Sequence, residues 1–95
     1  MEKNKHFFYV VQCKDNSYYA GYTNKLERRI AAHNKGKGAR YTKGRHPVQL
    51  IYHEELSSKS EALKAEYRFK QLAREQKEAY MKKGDHYVAT KKLSE

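Results

Sequence analysis

Two aromatic runs with turn chemistry between them are the strongest constraint on how this chain can fold. Phe7-Phe8-Tyr9-Val10-Val11-Gln12-Cys13 and Tyr18-Tyr19-Ala20-Gly21-Tyr22 are separated by Lys14-Asp15-Asn16-Ser17. Aromatic and β-branched side chains suit a pleated, half-buried surface, while Asp, Asn and Ser bond their own backbone in turns. The pattern predicts an antiparallel hairpin. Along the first strand Tyr9 shares a face with Phe7, Val11 and Cys13; along the second, Tyr19 shares one with Gly21. The two faces coincide when the connection gives an even pairing sum, as a three- or five-residue loop does, and that register is expected.

Helix signals follow. Asn24 reads as an N-cap with Glu27 three residues on, opening a helix over about 25–34 that stops at Gly36. Residues 35–47 form a basic loop, and Val48-Gln49-Leu50-Ile51-Tyr52-His53 a third strand. Ser58-Lys59-Ser60-Glu61 matches the capping box that starts a helix to about Ala73; another helix spans 74–83 and ends at Gly84. Residues 85–95 read as a polar, loose tail. The order β-β-α-β-α-α predicts an α+β fold, three short strands with helices packed on them, in a single domain over 1–95 with its core at about 6–80.

Only 38% of the residues are apolar, so the core must be thin and built largely from nine Tyr and three Phe. Lys and Arg total 21 against 11 Asp and Glu, a formal charge of +10. That excess on a small domain suits a polyanion, nucleic acid above all. Cys13 is the only cysteine, which excludes disulfide frameworks and Cys-based zinc sites within one chain. The longest apolar run, Phe7 to Val11, is far too short for a membrane span, and a reducing, cytoplasmic location without membrane contact is expected.

At about 100° per residue, Leu26, Arg29, Ile30 and His33 share one face of the first helix, and Arg28 falls on the opposite face. Leu26 and Ile30 must meet the core, so Arg29 and His33 point inward or along its rim, where an anionic partner offsets the cost. In the next helix Ala62, Ala65, Phe69, Leu72 and Ala73 form the apolar stripe, and Glu66 sits in its midst. A carboxylate there takes either a metal ion or a cation such as Arg29 or a Lys. The loop Lys35-Gly36-Lys37-Gly38-Ala39-Arg40-Tyr41-Thr42-Lys43-Gly44-Arg45-His46 is a polyanion site by composition. Its glycines let amides approach phosphate, Lys35, Lys37, Arg40, Lys43 and Arg45 neutralise it, and Tyr41 offers a stacking surface for a base.

Taken in order, these residues resemble the GIY-YIG nuclease family. Phe7-Phe8-Tyr9 stands where the first tripeptide falls and Tyr19-Ala20-Gly21 where the second does. The Leu26-Glu27-Arg28-Arg29-Ile30 helix, His33-Asn34-Lys35-Gly36-Lys37-Gly38-Ala39-Arg40-Tyr41-Thr42 and Glu66 complete the set over roughly residues 6–80. The chain looks like the small single-domain bacterial members and is similar to the nuclease domain of structure-specific resolvase subunits, which associates it with DNA repair. Phe7 and Phe8 depart from the first tripeptide, Ala20 from the second, and Tyr22 stands where some members carry Lys; none of these removes a proposed catalytic group.

The resemblance implies a three-stranded antiparallel sheet flanked by helices and an endonuclease acting on nucleic acid, DNA more than RNA. It implies Tyr9, Tyr19, Arg29, His33 and Glu66 as the catalytic residues, with Glu66 the lone protein ligand for Mg²⁺ or Mn²⁺. Arg29 would hold the scissile phosphate, Tyr9 or His33 would deprotonate the attacking water, and Tyr19 would orient water or phosphate. The other reading is a non-catalytic nucleic-acid-binding module that keeps the fold. A free-standing domain of this size would draw its specificity from a protein partner.

Overall fold

The aromatic runs pair as a hairpin at the centre of the fold. A computed structural model describes residues 5–83; the expected tail, Gly84 as a helix stop and the first four residues lie outside that range. β1 (His6–Gln12) and β2 (Tyr18–Thr23) are antiparallel, and β3 (Gln49–Leu56) adds antiparallel to the other edge of β1, giving the order β2-β1-β3. The loop between β1 and β2 has five residues, Cys13 to Ser17. Asp15 Oδ1 accepts the Ser17 amide at 3.0 Å, and Asn16 takes φ 71°, a left-handed conformation that Asn tolerates better than most residues. Pairing Tyr9 with Gly21 and Val11 with Tyr19 puts both tyrosines on one face, the register expected from the loop length.

The sheet therefore has two aromatic faces, each with its own cluster. Tyr9, Val11, Cys13 and Val48, with Tyr19 and Leu50 beside them, meet Leu26 and Ile30 of α1 (Leu26–Asn34). Phe8, Val10, Ala20 and Tyr52 meet Ala65 and Phe69 of α2 (Lys59–Lys70) and Met81 of α3, residues 74–83. Phe8 packs edge-on and tilted against Tyr52, Phe69 and Tyr80, so rings supply most of this small core. The Tyr52 and Tyr80 hydroxyls both donate to Glu54 Oε2, and Tyr18 donates to Glu78 at 2.9 Å; these phenol–carboxylate bonds fasten α3 to β3 and β2.

Three boundaries differ from the sequence expectation, each for a physical reason. β3 runs on through Glu54 and Glu55, residues of poor strand propensity, because β1 offers partners as far as His6. The β1–β3 ladder slips between Val10 and Val11, leaving Ile51 as an extra residue between Leu50 and Tyr52. α2 stops at Lys70, and Gln76 Oε1 reaches back to the Ala73 amide at 2.8 Å, the N3-to-cap half of a capping box that starts α3. Asn24 is not the cap of α1: the N-cap position is Lys25, with no side-chain cap bond, because β2 extends to Thr23, whose hydroxyl accepts the Lys25 amide at 3.0 Å. At α2 the N-cap forms as read, Ser58 Oγ accepting the Glu61 amide at 3.1 Å, which is the Ser half of the capping box.

Ser58→Ala is expected to cost about 1 kcal/mol of stability through the lost cap, whereas Asn24→Ala changes it by less than about 0.5 kcal/mol. Urea midpoints of the two variants check this, and equal losses would show that Asn24 caps after all.

Candidate functional site

On the α1 face of the sheet the fold buries an imidazole. His33, in the last turn of α1, is fully buried and stands between β1 and the loop that follows the helix. Tyr9 Oη lies 2.8 Å from His33 Nε2, and Thr42 Oγ1 lies 2.7 Å from His33 Nδ1. The Thr42 hydroxyl also donates to the Ala39 carbonyl at 3.0 Å. A carbonyl only accepts, so the Thr42 proton is committed to Ala39, and Thr42 accepts from His33 Nδ1–H. Nε2 is then the bare nitrogen of a neutral ring, and the Tyr9 phenol donates to it. The phenol oxygen in turn accepts from Arg29 Nε at 3.3 Å. Donor and acceptor order thus runs one way, from Arg29 through Tyr9, His33 and Thr42 to Ala39.

Two glycines make room for this chain. A Cβ on Gly21 would lie 2.6 Å from Tyr9 Oη, and one on Gly38 would lie 2.2 Å from His33 Nδ1. Either would push a ring out of line. Asn34 pins the ends of the loop: its side chain accepts the Val48 amide at 2.5 Å and donates to the Val48 carbonyl at 3.2 Å, joining α1 to the start of β3.

Burial sets the protonation states. It pushes the Tyr9 phenol up to about 12, against the opposing pull of the Arg29 bond and charge; Tyr19 and the Glu66 carboxylate add to the rise. It holds His33 down at about 4, helped by the Arg29 charge. Arg29, bonded to Tyr9 and then to Tyr19, is raised above its already high value and stays charged. At neutral pH the resting site holds a phenol, a neutral imidazole and a guanidinium.

Tyr19 is the hub of the rim. Its ring lies 5.6 Å from His33, 6.4 Å from Tyr9 and 5.7 Å from Tyr41, stacked at 23° to the last. Lys70 Nζ stands 5.6 Å from the same ring and pairs with Glu66 Oε2 at 2.7 Å. Of the five expected catalytic residues, Tyr9, Tyr19, Arg29 and His33 are joined directly. Glu66 reaches the cluster from α2, on the other face of the sheet, through Lys70 and by its charge at Tyr9; its cation partner is Lys70 rather than Arg29.

The basic loop is only partly free. Lys35, Lys37, Arg40 and Lys43 are exposed and outside any ion pair among the described residues, Arg40 and Lys43 flanking a single 3-10 turn (Arg40–Thr42). Arg45 is engaged within the protein surface: its Nε pairs with Asp15 at 3.0 Å, its Nη1 donates to the Tyr41 carbonyl at 2.7 Å, and its guanidinium covers the Tyr41 ring at 4.2 Å. Tyr41 lies against Tyr19 and Arg45 and is 38% exposed, so a base reaches it only at the margin.

Sequence reasoning passed over Thr42, Gly38, Asn34 and Lys70. A buried histidine needs a partner for each ring nitrogen, and Thr42 is the hydroxyl in the loop just after it; Lys70 follows Glu66 at the i+4 spacing of a helical ion pair. Among the described residues no three His, Cys, Asp or Glu cluster in a way that could hold a metal ion. Glu66 alone provides a carboxylate, with Oε2 on Lys70 and Oε1 without a hydrogen bond among the described residues. Such an oxygen suits a hard divalent cation that draws its remaining ligands from water and phosphate.

Over residues 5–80 the sequence matches the protein-family model described as the GIY-YIG catalytic domain. A UPF0213 protein of Bacillus cereus is 65% identical over 94 residues, which span 99% of this chain and 98% of that relative. The UPF0213 protein YazA of Bacillus subtilis is 63% identical over 81 residues, 85% of this chain and 82% of its own. Among solved structures, the solution NMR structure of a UPF0213 protein from Bacillus halodurans is 46% identical with a TM-score of 0.57, covering 95% of this chain and 97% of that one. The solution NMR structure of the protein EF2693 from E. faecalis is 48% identical with a TM-score of 0.62, covering 88% of this chain and 90% of that one.

Thr42→Val keeps the shape but leaves the His33 Nδ1–H buried without an acceptor, and is expected to cost about 1–3 kcal/mol in urea denaturation. The pH dependence has a definite sign. His33 titrates near 6.5 when unfolded and near 4 in the folded protein, so the unfolded chain binds more protons between those values. Its contribution to stability is complete above about 6.5 and declines as the pH falls towards 4. Imidazole NMR titration should find His33 neutral at about pH 5.5, between those two values, and His33→Gln should remove this part of the acid slope.

Proposed function

The chain belongs to the GIY-YIG family, a nuclease-like family, and from that membership we propose that it hydrolyses nucleic-acid phosphodiester bonds, DNA in preference, as a divalent-metal-dependent endonuclease of the cytoplasm. The observation that carries this reading is the one-way hydrogen-bond chain that holds Tyr9, His33 and Arg29 together at a cationic rim. A structural ion pair does not require a neutral buried histidine beside a phenol; a proton relay does.

In this reading Arg29 gives up its bond to Tyr9 in favour of the scissile phosphate, which its charge and forked donors suit better than a neutral phenol. That exchange uncovers the Tyr9 oxygen next to the bound phosphate. Tyr9 is then the group positioned to take a proton from the attacking water. Both nitrogens of His33 are already engaged and the ring is sealed from solvent, so His33 serves as the acceptor of the Tyr9 proton at Nε2 rather than touching water itself. Tyr19, beside both rings, orients the phosphate or the water. Glu66 would hold Mg²⁺ or Mn²⁺, which when bound polarises the phosphate, stabilises the leaving oxygen and lowers the phenol's pKa towards the working range. Lys35, Lys37, Arg40 and Lys43 contact flanking phosphates, and a protein partner adds the discrimination that a domain this small lacks.

A binding module without catalysis is favoured by one observation, the Lys70 ammonium that already neutralises Glu66. Labelled single-stranded, duplex and branched DNA incubated with Mg²⁺ or Mn²⁺ separates the two. Glu66→Ala is expected to lower cleavage by about 100-fold or more while binding persists, and Tyr9→Phe to do the same. Wild-type cleavage should rise from about pH 7 to about pH 9, because the base is a phenol. Intact binding with no difference in cleavage between wild type and Glu66→Ala would establish the module instead.

A further inference from the structure

The outward face of α2 carries an aromatic and cationic surface that the site above leaves unused. Tyr67 is 66% exposed and Leu63 42%, and they neighbour each other on one face of the helix, so they form a patch rather than scattered single exposures. With Lys59, Ser60, Lys64 and Arg68 they line a shallow groove of about 540 Å³. Among the described residues none of those three cations has a carboxylate within ion-pair distance. At about 100° per residue, Tyr67 points opposite the buried Ala62, Ala65 and Phe69, with Leu63 and Lys70 between it and Glu66.

This surface is continuous with the candidate site along the free edge of the sheet. β2 is an edge strand, and α2 reaches over it at both ends: Lys59 Nζ stands 5.7 Å from the Tyr22 ring and Lys70 Nζ 5.6 Å from the Tyr19 ring. Tyr19 also carries Tyr41 of the basic loop. The site rim therefore lies between two surfaces that each combine cations with an exposed tyrosine. From Lys59 to Lys70 the helix is about 16 Å long, the span of several nucleotides.

We propose that the outer face of α2 is a second nucleic-acid contact, in which Tyr67 stacks on an unpaired base of a DNA strand while Lys59, Lys64 and Arg68 neutralise its phosphates. The proposal rests on the phosphodiesterase reading, which puts the scissile phosphate at Arg29, and extends the strand from there past Lys70 along the helix. A solvated charge run needs no aromatic at its centre. An apolar protein partner would be served poorly by three uncompensated cations around two apolar side chains. A polyanion with flat bases satisfies both features, since stacking is indifferent to sequence and phosphates take up the charge. Duplex DNA engages the cations but keeps its bases in the stack, so the tyrosine distinguishes unpaired from paired strands.

Fluorescence anisotropy with an end-labelled single strand and the matching duplex tests this on the full chain. Tyr67→Ala is expected to weaken single-strand binding about ten-fold and duplex binding far less, and Tyr67→Phe to bind as wild type. Lys64→Ala should lower the magnitude of the single-strand log–log salt slope by about 0.7. Tyr67 is mostly in solvent, so an unchanged melting curve is expected for the Ala variant. Wild-type affinity of Tyr67→Ala for the single strand, or an equal loss on both DNAs, would overturn the proposal. If Arg29→Ala still weakens binding in that case, the phosphodiesterase reading survives alone; if wild type binds neither DNA, both fall.

Discussion

Burying a neutral imidazole between a phenol and a hydroxyl is the constraint from which the site's geometry follows. Each partner of His33 comes from a different segment: Tyr9 from β1, Thr42 from the loop turn, and His33 itself from α1. Three elements must be in place before both ring nitrogens are satisfied, and an unsatisfied buried nitrogen costs more than a formed bond contributes. The polar chain therefore acts as a register pin for parts that apolar packing alone holds weakly, since α1 touches the sheet chiefly through Leu26 and Ile30. The Ala39 carbonyl, an acceptor with no alternative role, sets the direction of every proton in the chain. One backbone atom at the far end decides which imidazole nitrogen carries the proton and leaves the one facing the phenol bare.

Much of this is legible without coordinates. The hairpin, its register, the shared face of Tyr9 and Tyr19, the inward turn of Arg29 and His33, and the α2 capping box all follow from periodicity of two and of 3.6 together with short-range turn chemistry. Those signals are local, and local rules read them. What is not legible depends on partners distant in sequence or on where one element gives way to the next. The extra length of β3 comes from the offer of β1. The stop of α2 and start of α3 come from Gln76 bonding back to Ala73, a half-box without the usual Ser or Thr. Asn24 has the look of a cap because the sequence does not tell where a strand ends; β2 runs to Thr23, whose hydroxyl accepts the Lys25 amide, and the N-cap position falls one residue later. The loop composition shows cations but not that Asp15, far away along the chain, pairs with Arg45.

Rings let so polar a chain fold at all. Phe8 and Tyr9, neighbours on β1, point to opposite faces, and each is fully buried. One anchors an apolar cluster with Tyr52 and Phe69; the other heads the polar chain. The same residue class thus supplies bulk on one face and a titratable group on the other, and the difference lies in the company each ring keeps. On the α2 side, phenols donate to Glu54 and Glu78 and tie helices down. On the α1 side, the phenol is covered by a guanidinium, which a stronger anion can draw away.

The few acids explain why the cations gather where they do. Asp15 is used to hold Arg45 over Tyr41, Glu78 to hold Arg74 and Tyr18, Glu54 to receive two phenols, and Glu66 to hold Lys70. Asp15, Glu78 and Glu54 fasten one part of the fold to another, while Glu66 and Lys70 pair within α2. Among the described residues, Lys35, Lys37, Arg40 and Lys43 on the loop after α1 and Lys59, Lys64 and Arg68 on the outer face of α2 stand outside any ion pair, on the two surfaces that meet at Tyr19. In the phosphodiesterase reading, a field of one sign around a site whose acid, Glu66, faces it from the opposite helix is what draws a polyanion inwards and aims its phosphates at Arg29. The charge excess apparent from composition thereby acquires a direction, and that direction comes from where the acids are spent.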